Sequence, residues 1–279
     1  MNKSDRTLVA GPWVGEFGWE LFAWQGYVRS LSQHFEKTII ICRPTSADLY
    51  RDFADEFVFC DAHTGLIDSY YMHGFDFASE LKKIIVENNL QQNSALSVFT
   101  PRRIGTPPHT HYTEPFTFGN INVKPNYITF KSAQEITSKY NYVFHLRQRS
   151  LRNNNNWNIE NWNKLKELLD DGEKTFACVG TKKDAGYVEE TEDLRGIPLQ
   201  QLFGVLHNST CVFGPSSGPM HLSSLCAARH LVWGDRSFSL YRYEDTWNPH
   251  QTPVLFLDKH GWQPPPEHVY NKYMEWTND

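Results

Sequence analysis

The sequence predicts an α/β protein with parallel sheets, arranged in two successive halves. Short buried apolar runs such as Thr38-Ile39-Ile40-Ile41-Cys42 and Tyr142-Val143-Phe144-His145-Leu146 alternate with segments of helical periodicity. That alternation is the pattern of strands joined by crossover helices. It stops in a polar stretch at 131–140 and restarts after it. Glycine-bearing loops separate strand from helix at two places, 11–21 and 214–222.

The elements follow in order. Thr7-Leu8-Val9-Ala10 reads as a first buried strand. Residues 19–35 read as one helix, whose apolar face is Leu21, Phe22, Trp24, Gln25, Val28 and Leu31. A strand at 38–42, a short helix at 47–53 and a strand at 56–60 come next. A helix at 77–87 and a strand at 96–99 close the first half. Residues 100–125 carry several prolines together with Arg102, Arg103, His109 and His111, and read as a long loop. The segment 131–140 reads as a helical linker. The second half begins with the strand at 142–146, then a helix at 161–169, a strand at 175–179 and a helix at 199–206. A strand at 211–213, a helix at 220–228, a strand at 231–233 and a last helix at 266–276 complete it. The expected domains are 1–135, 136–260 and a C-terminal helix within 261–279.

Composition narrows the function. The 279 residues are 40% hydrophobic and 14% aromatic, enough for one or two packed cores, and the formal charge of −5 lacks the basic footprint of a nucleic-acid binder. Of five widely spaced cysteines, Cys42, Cys178 and Cys211 sit in apolar strand-like runs and fit small buried hydrophobes in a reducing compartment. The polar start, Met1 to Arg6, is followed by no apolar signal region, and no apolar run reaches membrane-span length, so a cytoplasmic location is expected. There is no Asp-x-Asp pair, no Gly-x-x-x-x-Gly-Lys-Ser/Thr loop, no Gly-x-Gly-x-x-Gly after a strand and no Gly-x-Ser-x-Gly elbow. These absences argue against metal-diphosphate, P-loop, dinucleotide and hydrolase chemistry. His109 and His111 with Glu114 form only a weak metal-ligand pattern, and no metal is expected.

The strongest functional signal is Gly214-Pro215-Ser216-Ser217-Gly218-Pro219-Met220-His221-Leu222. Pro219 suits the first position of a helix, and Ser217 or Gly218 suits its N-cap. Such a helix start aims free N–H groups and the positive end of the helix dipole at one spot, which favours a phosphate. His221 sits in the first turn, either touching the ligand or packed in the core.

This segment, with Leu194 to Leu202 before it, resembles the donor domain of the lipopolysaccharide heptosyltransferases and related GT-B glycosyltransferases. In that family an Asp usually precedes Ser-Gly-Pro; here Ser216 stands there. The resemblance implies two Rossmann-like α/β domains facing each other across a cleft, with the final helix packing back on the N-terminal domain. It also implies a nucleoside-diphosphate sugar as donor substrate, with no other cofactor. The glycine-flanked loop Gly11-Pro12-Trp13-Val14-Gly15-Glu16-Phe17-Gly18-Trp19-Glu20-Leu21 matches the loop that supplies a general base for the acceptor hydroxyl. Glu16 is the matching carboxylate and Glu20 the runner-up, with Gly15 and Gly18 allowing close approach of a ligand. The element His145-Leu146-Arg147-Gln148-Arg149 is similar to the His-x-Arg-Arg element of some fucosyltransferases, which places Arg147, then Arg149, on the donor phosphates. The lysine that commonly precedes Trp in the heptosyltransferases is absent, and Asn155 or Asn156 stands before Trp157. Asp193 stands as a ribose-binding candidate. Three readings stay open: transfer to a saccharide, transfer to a hydroxymethylated base in DNA, and a sugar-nucleotide-binding module without activity.

Overall fold

The computed structural model describes residues 4–60, 76–90, 95–101, 114–131 and 139–278. The chain separates into two compact units, Met1–Tyr127 and Ile128–Asp279. The expected linker helix at 131–140 lies mostly outside the described residues, as do Arg102, Arg103, His109 and His111.

Unit 1 is built on a parallel sheet of β1 (Ser4–Ala10), β2 (Phe35–Cys42), β3 (Glu56–Phe59) and β4 (Leu96–Phe99), in the order β3-β2-β1-β4. The central strands are buried on both faces, which is why β2 reads as a continuous Ile run. The expected single helix after β1 is two: α1 (Phe17–Ala23) and α2 (Gln25–Ser32). Trp24 leaves the helical region (φ −136°, ψ −67°), and its buried indole stacks on Phe99 at 4.8 Å. Burying the indole overrides continuation of the helix. The expected helix at 47–53 is a 3-10 helix at Pro44–Leu49 followed by turns, and α3 (Phe77–Glu87) is capped by the Asp76 carboxylate. The long loop before residue 125 contains an antiparallel hairpin, β5 (Phe116–Phe118) and β6 (Ile121–Val123). Phe116 stacks on Phe99 at 5.5 Å, anchoring the hairpin to the core.

Unit 2 is a six-stranded parallel sheet in the order β12-β11-β10-β7-β8-β9. Its strands are β7 (Tyr142–Phe144), β8 (Phe176–Cys178), β9 (Glu192–Asp193), β10 (Cys211–Pro215), β11 (His230–Trp233) and β12 (Val254–Leu257). Its helices are α4 (Ile159–Leu169), α5 (Leu199–Asn208), α6 (Gly218–Leu225), α7 (Arg236–Tyr241) and α8 (Pro266–Asn278). A π-helical turn, Arg242–Thr246, follows α7. Trp157, Trp162 and Trp233 meet within 4.8–5.3 Å in the core. α8 belongs to unit 2, where it packs beside α4, and its Val269 and Tyr273 join Tyr142 and Phe213 in that unit's core.

All five cysteines are free thiols, and Cys42, Cys178, Cys211 and Cys226 are buried. Burial pushes all four thiols up, that of Cys42 to about 12 with Glu20 adding to the effect. Among the described residues no helix is long and apolar enough to cross a membrane.

Candidate functional site

In unit 2 the strand order reverses between β7 and β10. From β7 the chain moves outward to β8 and β9, then returns to the other side of β7 for β10, β11 and β12. Such a switch point opens a crevice at the carboxyl ends of the two strands, where ligands of open α/β sheets bind. The two ends are held together by the His145 N–H, which donates to the Phe213 carbonyl at 2.9 Å. Gly214 allows the approach: a Cβ there would stand 3.2 Å from the His145 carbonyl oxygen and 2.7 Å from Met220 Sδ.

From β10 the chain enters α6 through Ser216 and Ser217. Ser217 is the N-cap in extended conformation, so Gly218 is the first helical residue and Pro219 the second. The Ser217 hydroxyl caps nothing; its buried oxygen has no hydrogen-bond partner among the described residues. The Ser216 N–H donates to the Trp233 carbonyl and the His221 N–H to the Ser217 carbonyl. The Ser217 N–H donates to the Tyr243 hydroxyl at 3.2 Å. Pro219 has no N–H, which leaves the N–H groups of Gly218 and Met220 for an anion at this helix start. His221 is buried, stacked on Tyr243 at 4.5 Å and edge-on to Trp247 at 4.7 Å. Burial, then the nearby Arg242 and His230, hold its imidazole well below the usual histidine range. It is therefore neutral at pH 7.

The loop leaving β7 departs from simple strand alternation, because β7 ends at Phe144. Leu146 to Gln148 peel off and pair with Asp184 to Gly186 instead. Arg147 is buried, and its guanidinium is committed to its own loop. It donates to the Arg152 carbonyl at 3.0 Å, the Leu151 carbonyl at 2.9 Å and the Asn156 side-chain oxygen. The same Asn156 oxygen accepts the Arg149 N–H at 3.1 Å, and the Asn156 amide donates to the Arg149 carbonyl at 2.8 Å. Arg147 and Asn156 together fix the backbone of Arg149, whose side chain is half-buried. Burial holds His145 down to about 4, so it is neutral, with Nδ1 3.1 Å from the Val179 carbonyl.

Asp193 lies at the end of the edge strand β9 and makes a forked pair with Arg195 (2.8 and 2.9 Å). Its hydrogen bonds from Arg195 hold the carboxyl down to about 2. Asp193 is exposed and Arg195 half-buried, and the pair lies two strands from β7.

In unit 1 the equivalent switch point lies between β1 and β4. The Gly11 N–H donates to the Phe99 carbonyl at 3.0 Å, and the positive φ of this loop falls on Gly11 (+117°), not on Gly15 or Gly18. A Cβ at Gly11 would stand 2.1 Å from the Ile41 carbonyl oxygen, so only glycine fits there. Gly18 lies inside α1. Glu16 is the N-cap of α1 and half-buried, and its side chain caps nothing. Its carbonyl accepts the Trp13 indole N–H at 3.2 Å. Trp13 is itself buried and stacked 6.1 Å from Trp24, so the aromatic core holds the backbone that presents Glu16.

Glu20 is different. It is wholly buried and accepts from Tyr50 Oη at 2.8 Å, Ser46 Oγ at 3.0 Å and the Arg43 guanidinium. Its oxygens are spent on this network, which corrects its reading as an alternative base. Sequence reasoning missed Trp13, Asn156 and Tyr243. Asn156 and Trp13 stood in the quoted motifs as polar or aromatic loop residues. Tyr243 lies 26 residues beyond Ser217, and no local signal pointed to it.

No family model and no curated protein matches the chain. Solved structures do match over nearly its whole length. The structure of ADP-heptose lps heptosyltransferase II of E. coli aligns with 97% of this chain and 98% of that one, at 12% identity and a TM-score of 0.62. A glycosyl transferase family 9 protein from Veillonella parvula aligns with 98% and 90%, at 11% identity and 0.61. The E. coli heptosyltransferase WaaC with ADP aligns with 97% and 99%, at 13% identity and 0.58. The fold is GT-B. Among the described residues no group of three or more His, Cys, Asp or Glu side chains is placed to hold a metal ion.

Proposed function

We propose that this chain is a glycosyltransferase that moves a sugar from a nucleoside-diphosphate sugar to a saccharide hydroxyl without a metal ion. The observation that carries the reading is the start of α6 at the β7–β10 switch point, where two N–H groups are unspent among the described residues. The three solved structures described above are glycosyltransferases by name, and one holds ADP. In this reading the diphosphate leaves with growing negative charge, which the Gly218 and Met220 N–H groups and the helix dipole stabilise. Arg149 is the cation assigned to the diphosphate, and Arg147 the residue that organises its loop. Asp193, paired with Arg195 at the sheet's edge, takes no part. Glu16 in unit 1 accepts the proton of the acceptor hydroxyl as that oxygen attacks the anomeric carbon. A DNA acceptor finds no supporting feature among the described residues.

A thermal-shift panel of nucleotide sugars tests the donor half. One member should raise the melting temperature by mass action, and a flat panel would refute the reading. Turnover tests the acceptor half. Glu16→Gln should lower kcat by about 10²–10⁴-fold with donor affinity held, since only basicity is lost. Normal turnover in that variant would remove Glu16 from the mechanism.

A further inference from the structure

We infer that Tyr243 is a positioning residue for the donor diphosphate, an inference that rests on the α6 reading above. Tyr243 is wholly buried in the π-helical turn Arg242–Thr246, between β11 and β12. Single π-helical turns inside helical segments recur at functional sites, because the extra residue re-aims a side chain. Here it brings one phenol oxygen to the strand-to-helix turn after β10. That oxygen accepts the Ser217 N–H at 3.2 Å and donates to Ser216 Oγ at 3.2 Å. It also lies 3.4 Å from His221 Nε2. One neutral hydroxyl therefore touches three consecutive features of the turn: the residue before the N-cap, the N-cap itself and the first helical turn.

The ring is fixed independently of the hydroxyl. It is stacked between His221 (4.5 Å, 13°) and Phe256 (5.6 Å, 27°). The hydroxyl thus transmits the position of a packed ring to the side chain of Ser216 and the backbone N–H of Ser217. Fixing those two residues fixes the directions of the Gly218 and Met220 N–H groups, which immediately follow. Because the phenol is uncharged, it satisfies the Ser217 N–H without placing a negative charge where an anion must bind. Tyr243 need not touch the ligand; it holds the donors that do.

Tyr243→Phe separates the two functions of the side chain, keeping the stacked ring and deleting the hydroxyl. Titration calorimetry of the full chain with ADP, GDP, UDP and CDP, and with the matching monophosphates, tests it. The diphosphate that binds the wild type should bind Tyr243→Phe about tenfold more weakly, because the N–H donors are no longer held in the binding direction before the ligand arrives. Its advantage over the monophosphate should shrink as well, a change that general loosening of the fold would not produce. Arg149→Ala separates this inference from the site itself. If Arg149→Ala weakens diphosphate binding and a folded Tyr243→Phe does not, the site stands and the role of Tyr243 is overturned. If the wild type binds none of the four diphosphates, both the site and the role fall. Should Tyr243→Phe fail to fold, Ser216→Ala, which removes the acceptor of the phenol proton, must itself lower diphosphate affinity, and unchanged affinity there overturns the inference.

Discussion

Two carboxylates four residues apart lie in different surroundings. Glu20 is shut in unit 1 with three donors around it; Glu16 caps no helix N–H and is half-buried. Removing Glu20 leaves the Arg43 guanidinium, whose side chain is only 26% exposed, without its carboxylate. Burial works against the charge of Arg43, and Glu20 overcomes this and raises its pKa. Glu20→Ala should therefore cost about 3–5 kcal/mol in urea unfolding, the range for breaking a buried pair. A loss below ~1 kcal/mol would show that the network is dispensable. The sequence presents Glu20 equally well as a helix-start charge or a base. Choosing between them requires Arg43, Ser46 and Tyr50, which lie 23 to 30 residues away and reach Glu20 only through the β1–β2 pairing. The setting of Arg147 was hidden for a related reason. Its partners are close in sequence, but the turn that folds Leu151 to Asn156 back onto it leaves no pattern of periodicity.

At the scale of elements, the junction of β10 and α6 is where packing and chemistry meet most tightly. Gly214→Ala would force its methyl against Met220 Sδ and the His145 carbonyl. The sulfur can yield but the carbonyl belongs to the sheet, so a cost of about 1–3 kcal/mol is expected from overpacking. Denaturant melts measure that cost, and wild-type stability would mean the two strand ends are not held as tightly as their contacts indicate. The strands themselves were legible in the sequence, because parallel strands buried on both faces read as unbroken apolar runs. The hairpin β5–β6 was not. Its three-residue strands are shorter than any window that reveals alternation, and Phe116 is placed by packing on Phe99 and Tyr27. The split between α1 and α2 was equally hidden, since Trp24 fits the apolar face of one long helix while its burial demands a break.

At the scale of the whole molecule, the restart of strand and helix alternation announced two units, and each has its own sheet and core. Unit 2 carries a pH liability. His145 and His230 are both lowered to about 4 by burial, and His221 is lowered as well. A histidine whose folded pKa lies below its unfolded value near 6.5 takes up its proton more readily when unfolded. Stability is therefore full above pH 6.5 and falls as the pH drops from there towards 4, by about 3 kcal/mol each for His145 and His230 at pH 4. Hydrogen exchange read by mass spectrometry should show protection in unit 2 declining between pH 6.5 and 4.5 after correction for intrinsic rates. Constant protection over that window would mean the histidines are not held neutral.

The placement of the cysteines has a practical consequence. Cys42 lies in the sheet of unit 1, while Cys178, Cys211 and Cys226 lie in unit 2, all sealed and all weakly acidic. An alkylating reagent reaches such thiols only when the surrounding structure opens, because it reacts with exposed thiolate. The mass gained by each peptide that bears one of these four cysteines therefore keeps a separate tally of openings for each unit. The protein carries its own pair of stopwatches, one per unit, with no label to engineer.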